Sequence, residues 1–422
     1  MSNSQIPPST GEISPDSALL RRITTFTSLR TPHYRWFWLG MLANFLGVHL
    51  QLVARNWLVW DMTGSALSLG IVIAAWGLPI LLLSFYGGTI ADRVRKRNLL
   101  IWTQVANACI ALIIAVLITG GWIQLWHLIF AAVVEGVIFA FHVPARLAII
   151  PELVTRREVM NAIALNSASM NLSRFMGFAV GGLLLGVIGI AGVYYIVVLA
   201  FFLSAGLLFM LPRLDRIRRQ VTTSIRTDLM DGLRYINGNV VVRSLLLMAF
   251  VCIGFGLPHL NIMPVFADVV HDVGESGFGF MLGASGLGSV VGSLAVASLG
   301  DFKRKGMLML SFAFLFGAMV AMFAFSGSYY MALGMLVLVG GFGAGYLATN
   351  STLVQSLVPH DMLGRVMSIY VTTFSLMPLA TLPLGAITDA VGAPLTIGSG
   401  GIILALFALG MTALVPRLKR LE

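Results

Sequence analysis

The stretch Gly87-Gly88-Thr89-Ile90-Ala91-Asp92-Arg93-Val94-Arg95-Lys96-Arg97 joins two long apolar runs, at 67–91 and 99–119. It carries four basic side chains, although only 10% of the residues in the chain are charged. A helix needs about 20 apolar residues to cross the hydrocarbon core of a bilayer, so both runs are long enough to be membrane spans. Lys and Arg collect in loops on the cytoplasmic side of a membrane, and the stretch therefore predicts a short cytoplasmic loop.

The composition of the whole chain agrees with a membrane protein. Of its 422 residues, 58% are apolar, and the mean hydropathy is +0.91. Soluble domains contain about 25% charged residues, so this composition excludes a soluble domain, and it also excludes collagen-like, disordered and disulfide-rich chains. The two cysteines, Cys109 and Cys252, both lie in apolar stretches and indicate neither a metal cluster nor a disulfide framework. We expect no metal and no cofactor.

Twelve apolar stretches are long enough to cross a bilayer. Their limits are 35–60, 67–91, 99–119, 123–147, 161–187, 191–211, 241–266, 277–299, 307–325, 330–356, 364–388 and 395–416. If both termini are cytoplasmic, 25 of the 27 lysines and arginines fall in the tails, in cytoplasmic loops or at the cytoplasmic ends of spans. The two exceptions, Arg55 and Arg174, lie within spans. Loops with basic residues therefore alternate along the chain with loops that have none, and this alternation predicts a multi-pass protein of the inner (plasma) membrane. It also explains the net charge of +10 without nucleic acid as a partner.

The chain divides into two related halves. Gly88-Thr89-Ile90-Ala91-Asp92-Arg93 after the second span has a degenerate echo, Gly300-Asp301-Phe302-Lys303-Arg304, after the eighth. Glu158-Val159-Met160-Asn161 is matched at nearly the same spacing by Arg365-Val366-Met367-Ser368. Repeated halves of this kind are typical of transporters whose substrate site lies between them. The predicted organisation is a disordered cytoplasmic tail at 1–33, six-helix bundles at 34–212 and 241–416, a cytoplasmic linker with a short surface helix at 213–240, and a cytoplasmic tail at 417–422.

The loop at 87–97 resembles the signature loop between the second and third helices of the major facilitator superfamily, with Arg95 where a glycine is usual. This resemblance implies an all-α membrane protein of twelve transmembrane helices in two pseudo-symmetric six-helix bundles. It also implies that Asp92 closes the cytoplasmic side by holding the eleventh helix, with Gly88, Arg93 and the echo at Asp301 in the same gate. A carboxylate at the start of a helix suits the positive end of the helix dipole. The alternative is an ordinary basic loop without a gating role.

Further stretches resemble one branch of this superfamily, the enterobactin exporters and macrolide-efflux proteins. They are the junction 141–154 and the segment 57–66. In addition, Gly177-Phe178-Ala179-Val180-Gly181-Gly182 is similar to the antiporter motif, with Phe178 in place of its proline. The similarity implies export, whereas the alternative reading of these glycines is close helix packing.

Two ionisable residues lie deep within predicted spans. Glu135 is at the centre of the fourth span, and Arg174 is at a similar depth in the fifth. A charge at mid-bilayer costs about 2.5–3.5 kcal/mol on insertion scales, so each needs a partner or a function. Because these spans are consecutive and antiparallel, we expect Glu135 and Arg174 to pair. The pair is either purely structural or a proton-coupling site that changes charge during transport.

Other polar side chains recur at helical spacing on several spans. In lipid such stripes would lack hydrogen-bond partners, so we expect them to face protein or a water-filled cavity. The resemblance places the first, fourth, seventh and tenth spans around a central cavity. The predicted cavity residues are Asn44, Gln51, Arg55, His142, His259, Asn261, Tyr346 and Asn350. Each of them serves either substrate contact or helix packing.

These features favour a secondary active exporter of small organic molecules that works by alternating access with proton antiport. A cavity with apolar positions and two arginines suits an amphipathic or anionic molecule, such as a siderophore, a macrolide-like drug or a multidrug range. The alternatives are an uptake or lysolipid-translocating transporter of the same fold, and a non-transporting membrane scaffold. No enzyme motif or nucleotide-binding loop occurs in the spans, so no enzyme is expected. We expect a monomer whose partners are its substrate, protons and the lipid bilayer.

Overall fold

The computed structural model describes residues 24–212, 225–299 and 303–421, and they form an all-helical structure without a strand in that part of the chain. The long helices have the bounds α1 (Pro32–Thr63), α2 (Ala66–Arg93), α3 (Lys96–Thr119), α4 (Leu125–Leu153), α5 (Val159–Phe209), α6 (Ile225–Gly238), α7 (Val240–Val270), α8 (Gly274–Ser298), α9 (Lys305–Ala324), α10 (Tyr329–Leu357), α11 (Met362–Val391) and α12 (Ala393–Leu414). All except α6 are long and apolar enough to cross a membrane, which makes eleven such helices in the described residues.

The helix α5 is too long for one crossing. Its 51 residues would extend about 76 Å at 1.5 Å per residue, whereas the hydrocarbon core is about 30 Å thick. Gly189 interrupts it with φ 68° and ψ 176°, a backbone conformation outside the helical region. The interruption falls between the predicted spans 161–187 and 191–211, so α5 consists of two helical arms that correspond to these two spans.

The helices α7 and α11 are irregular where proline removes a backbone donor. In α7, the π-helical turn Cys252–Gly256 precedes Pro258, and a second π-helical turn, Phe266–Val270, follows Pro264. Proline lacks an N–H group and clashes with the preceding turn, so the backbone ladder shifts register around it. In α11 the regular helix stops at Ser375 and resumes at Met377, immediately before Pro378.

Packing inside the two parts of the chain follows one pattern, as the internal repeat predicts. Helix α2 packs against α4, and α8 packs against α10 in the same way. Helix α3 packs against α4 and α5, and its counterpart α9 packs against α10 and α12. The helix α1 lies along both arms of α5, where glycines allow close approach: Gly47 meets Ala200 and Gly177 meets His49.

Two helix pairs join the first part of the chain to the second. They are α5 with α8 and α2 with α11. Gly182 of α5 lies so close to Gly279 of α8 that a Cβ atom on either would collide with the other backbone, and Gly77 of α2 lies equally tightly against Pro378. The α5–α8 contact lies towards the predicted external ends, and the α2–α11 contact extends there from Gly77, since Gly70 lies against Leu382. Towards the predicted cytoplasmic ends, Met160 of α5 is 77% exposed and Leu294 of α8 is 65% exposed.

The predicted tails are more ordered than the sequence indicates. Residues Thr24–Arg30 form a 3-10 helix, so the proposed tail at 1–33 is structured from Thr24 onwards. The hydroxyl of Ser28 donates to Oδ1 of Asn161 over 2.8 Å, which anchors the segment at the start of α5. A polar composition does not reveal such a long-range anchor. At the other end, Pro416–Arg420 is a 3-10 helix that buries Leu418 completely.

The surface helix predicted within the linker is present as α6. It covers Ile225–Gly238, while residues 213–224 of the predicted linker lie outside the described part of the chain. Asp231 of α6 pairs with Arg365 of α11 over 3.1 Å. The linker helix is therefore attached to the second part of the chain.

Candidate functional site

Three polar side chains meet in the interior between α1 and α4. Gln51 Nε2 donates to Oε1 of Glu135 over 2.7 Å, and Arg55 Nη1 donates to Oε2 over 2.9 Å. Gln51 and Arg55 are four residues apart, so both project from one face of α1 towards the centre of α4. Glu135 is 9% exposed and Arg55 is 8% exposed. In this Glu135 cluster, both carboxylate oxygens have a donor and the buried charge is balanced.

The predicted pair between Glu135 and Arg174 is wrong, because Arg55 takes the carboxylate instead. A similar depth in the membrane, as the sequence predicts for the two residues, does not determine which helices face each other. Helix α4 makes few contacts with its sequence neighbour α5, whereas α1 packs along α5 and also touches α4. Arg174 projects from α5 one turn before Gly177 and Phe178, which both contact His49 of α1.

Two residues of α3 complete the polar interior of the first part of the chain. Gln104 Nε2 donates to Oδ1 of Asn44 over 2.8 Å, and Thr103 Oγ1 lies 3.0 Å from Nδ1 of His142. Sequence reasoning missed Thr103 and Gln104, although two adjacent polar residues in an apolar span are a usable signal. Nε2 of His142 and Oε1 of Gln104 are buried without a partner among the described residues. Buried polar atoms of this kind are typical positions for internal water.

The cavity candidates from the second part of the chain separate into two groups. Asn261 of α7 donates to the hydroxyl of Thr381 of α11 over 3.0 Å, and Nδ1 of His259 lies 2.6 Å from the carbonyl of Gly256. Tyr346 and Asn350 instead lie within the packed interior, and both are completely buried. Asn350 donates to the Leu245 carbonyl over 3.1 Å and to the Tyr346 hydroxyl over 2.8 Å. In this conformation Tyr346 and Asn350 present no surface to a ligand.

Carboxylates at the predicted external ends connect the two parts of the chain. The indole of Trp60 in α1 donates to Asp268 at the end of α7 over 2.9 Å. Asp389 near the end of α11 accepts hydrogen bonds from the Ser65 hydroxyl and from the first backbone N–H groups of α2. Sequence reasoning missed both contacts, because each joins residues more than 200 positions apart.

The antiporter-like stretch at 177–182 has a packing role in the structure. Gly177 lets α5 approach His49 of α1, and Gly182 lets α5 approach Gly279 of α8. Both are close helix contacts of the kind that small residues permit. The predicted gate residues Gly88, Asp92 and Arg93 have their side chains outside the described part of the structure, and Asp301 lies outside it altogether.

Comparison with known proteins identifies the family. The model of the family described as "Transmembrane secretion effector" matches residues 23–422, nearly the whole chain. The chain belongs to this family of the major facilitator superfamily. Like other major facilitator transporters, it is a multi-pass inner-membrane protein that moves small molecules and is not an enzyme.

Its relatives fall in the enterobactin-exporter and efflux branch of the superfamily. The chain is 25% identical to the staphyloferrin A transporter of Staphylococcus aureus, over 87% of this chain and 92% of the relative. It is 25% identical to the multidrug efflux pump Tap of Mycolicibacterium fortuitum, over 89% and 94% of the two chains. It is 24% identical to the enterobactin exporter EntS of Shigella flexneri, over 88% and 86%. The branch predicted from 141–154 and 57–66 is confirmed.

Solved structures of major facilitator transporters share the fold. The nucleoside transporter NupG matches with a TM-score of 0.67 at 13% identity, over 90% of this chain and 98% of that one. A bacterial homologue of the human lysosomal transporter Spinster, in an inward-facing and occupied conformation, matches with a TM-score of 0.70 at 14% identity, over 92% and 98%. At these identities the likeness supports the fold alone.

Proposed function

We propose that this transporter exports small organic molecules by alternating access and takes up a proton in exchange, with Glu135 as the proton-binding group. Its relatives include exporters and an efflux pump, and they match over most of the chain. The substrate we propose is a siderophore, a macrolide-like drug or a range of drugs. These are the chemical classes that the names of the relatives and the mixed apolar and polar interior support.

The proposed architecture is twelve crossings in two six-helix bundles, at 34–212 and 241–416, with both termini and the linker 213–240 in the cytoplasm. The break at Gly189 supports twelve crossings, because it allows α5 to cross the membrane twice. The repeated packing pattern supports two bundles. Both bundles lie in one chain, so we propose a monomer as the working unit.

The observation that carries the proton role is the position of Glu135. Its carboxylate lies in the middle of α4, within the polar interior, and both oxygens depend on side chains of α1. An ionisable group at this depth is costly unless it has a function or a partner. When Glu135 takes up a proton, the cluster loses the negative charge that balances Arg55, and the contact between α1 and α4 weakens. Proton binding would thereby be coupled to a movement of α1.

Closure at one end supports alternating access. The pairs α5–α8 and α2–α11 hold the predicted external ends together, and exposed residues such as Met160 and Leu294 occupy the other end. From the close α5–α8 and α2–α11 contacts, rather than from the exposed residues, we infer an inward-facing conformation. In the opposite conformation, Asp92, with Gly88, Arg93 and Asp301 near it, would close the cytoplasmic side, as the resemblance of the signature loop implies.

The decisive experiment measures uphill transport in sealed vesicles with an imposed pH gradient. A panel of siderophores, macrolides and dyes, compared between cells with and without the protein, first supplies a substrate. We then expect Glu135→Gln to lose proton-driven accumulation while it keeps part of its substrate binding. Glu152→Gln is the matched control, because Glu152 lies at the end of the same helix and pairs with Lys96. If Glu135→Gln still accumulates substrate against its gradient, Glu135 is not the coupling group.

A further inference from the structure

Arg55 and Arg174, the two arginines predicted to lie deep within spans, differ in their charge balance. Arg55 is neutralised by Glu135 over 2.9 Å. For Arg174, no carboxylate of the described residues lies within 4 Å. An uncompensated guanidinium at mid-membrane depth is expensive, and it requires either water or an anion that comes from outside the protein. The interior of the transporter therefore carries a net positive site at Arg174.

Arg174 lies where the two parts of the chain approach each other. Gly177 and Phe178, on the same face of α5 one turn further on, contact His49 of α1; the Phe178 and His49 rings are 5.3 Å apart. Helix α1 in turn contacts the His259–Val265 segment of α7. Phe175, the residue after Arg174, lies against Gly286 of α8. Arg174 therefore lies next to the part of α5 that contacts both α1 and α8.

A polar path leads to Arg174 from the predicted cytoplasmic end. Ser167 and Asn171 lie seven and three positions before it, on the same face of α5, and both are exposed. Arg174 itself is partly exposed. Exposed polar side chains in a membrane helix face a water-filled space rather than lipid, because lipid offers no hydrogen-bond partners. A molecule that enters from the cytoplasm would therefore meet Arg174 at the inner end of this path.

A second unpaired polar group lies on α7, in the His259–Val265 segment that α1 contacts. Nδ1 of His259 is engaged by the Gly256 carbonyl, so neutral His259 carries its proton on Nδ1 and leaves Nε2 as an acceptor. This Nε2 atom is buried without a partner among the described residues, and His259 is only 2% exposed. An acceptor of this kind suits a hydroxyl group on a ligand whose acidic group is held elsewhere.

We propose that Arg174 binds a carboxylate of the transported molecule and thereby selects organic acids as substrates. The proposal rests on the proposed export function and specifies its substrate class. A guanidinium presents parallel N–H donors that match the two oxygens of a carboxylate, which gives geometric selectivity as well as attraction. Glu135 neutralises Arg55, and the guanidinium of Arg146 lies over the Phe45 ring, so the negative charge of the substrate is directed to Arg174.

The test compares two fluorescent probes that differ only in charge. Dansylglycine carries a carboxylate, and dansylglycinamide is its neutral counterpart. We titrate both into the purified full-length transporter in lipid nanodiscs at neutral pH, without a gradient. The acid should bind about tenfold more tightly than the amide, the usual scale of one charge-assisted contact. In Arg174→Gln this preference should disappear through weaker acid binding, while the affinity for the amide stays the same.

Two further variants keep the result interpretable. Arg174→Lys retains the cation without the planar fork, and it should keep an intermediate preference for the acid even if the glutamine variant folds poorly. Arg243→Gln removes an exposed arginine at the start of α7 and should behave like the wild type. Equal affinities of the wild type for acid and amide, no saturable acid binding, or an unchanged preference in Arg174→Gln would each overturn the proposal.

The binding result is independent of proton coupling. Glu135→Gln should keep the preference for the acid, because the preference arises at Arg174 and the titration uses no gradient. If Glu135→Gln still accumulated substrate in the vesicle experiment, Glu135 would be refuted as the coupling group. The proposed binding of acids at Arg174 would be unaffected. If the titration showed no preference for the acid that depends on Arg174, the acid site would be refuted. Proton-driven export of neutral or cationic molecules would remain possible.

Discussion

Asp389 and Ser65 lie 2.7 Å apart, so a carboxylate near the end of α11 accepts the hydroxyl that precedes α2. The same carboxylate accepts the backbone N–H groups of Ala66 and Leu67 over 2.7 and 3.0 Å. Free N–H groups at a helix start are normally capped by a nearby side chain of the same segment. Here the cap comes from the other part of the chain, so the start of α2 is satisfied only while the external ends are together.

This arrangement predicts that Asp389→Ala favours opening at the predicted external end. The variant removes three hydrogen bonds to a charged acceptor, with a combined effect of about 2–4 kcal/mol. Spin labels at positions 122 and 330, exposed in the loop after α3 and at the start of α10, should show a larger population at long distance. Asp61→Ala is the control, because it removes an exposed carboxylate at the same end. An unchanged distance distribution in Asp389→Ala would show that the cap does not contribute to closure.

The contact between Gly182 and Gly279 makes a second prediction about closure. Valine at position 182 would place its side chain against the α8 backbone, and only separation of α5 from α8 can relieve the collision. We expect Gly182→Val to insert normally but to lose most of its transport, with a shift to long distances between the same spin labels. Gly206→Val is a matched control on α5, since nothing lies within 4 Å of its added Cβ. Equal transport by the two variants would contradict this contact as a requirement for closure.

The Glu135 cluster predicts a specific pattern of thermal stability. Arg55→Leu leaves a buried carboxylate without its cation, and loss of one partner of a buried pair typically costs about 3–5 kcal/mol. The melting temperature of the purified protein should therefore fall clearly. Arg55→Leu/Glu135→Leu should recover most of the loss, because it removes both charges. Glu135→Leu/Arg174→Leu should show no such recovery of the melting temperature. If it did recover, Glu135 would pair with Arg174, as first expected from the sequence.

The orientation in the membrane is tested by labelling from outside intact cells. Single cysteines are placed at Tyr330, which is 82% exposed at the start of α10, and at Asn237 in α6. The background carries Cys109→Ser, since Cys109 is exposed and Cys252 is buried. A membrane-impermeant maleimide should label position 330 and spare position 237 until the cells are permeabilised. Labelling of position 237 in sealed cells would reverse the topology.

Local chemistry explains why so much of the fold follows from the sequence. Apolar runs of about 20 residues can only be helices in a bilayer, and basic residues stay on the cytoplasmic side. The positions of the spans can therefore be predicted from local composition. The signature loop at 87–97 and the stretches at 57–66 and 141–154 are also continuous in sequence. Family and branch could therefore be predicted from them, and the comparisons confirm both.

What local sequence does not contain is the rotation of each helix and the identity of its neighbours. Glu135 and Arg174 are at similar depth, yet α1 packs between their helices and Arg55 receives the carboxylate. Thr103 and Gln104 of α3 bond to α4 and α1 for the same reason. Composition thus determined that this chain is a membrane protein with charges in its interior, and the signature motifs indicated a transporter. Tertiary packing alone decided that Glu135 is paired and Arg174 is not, because partners in a helical bundle are chosen by the facing surfaces of distant segments.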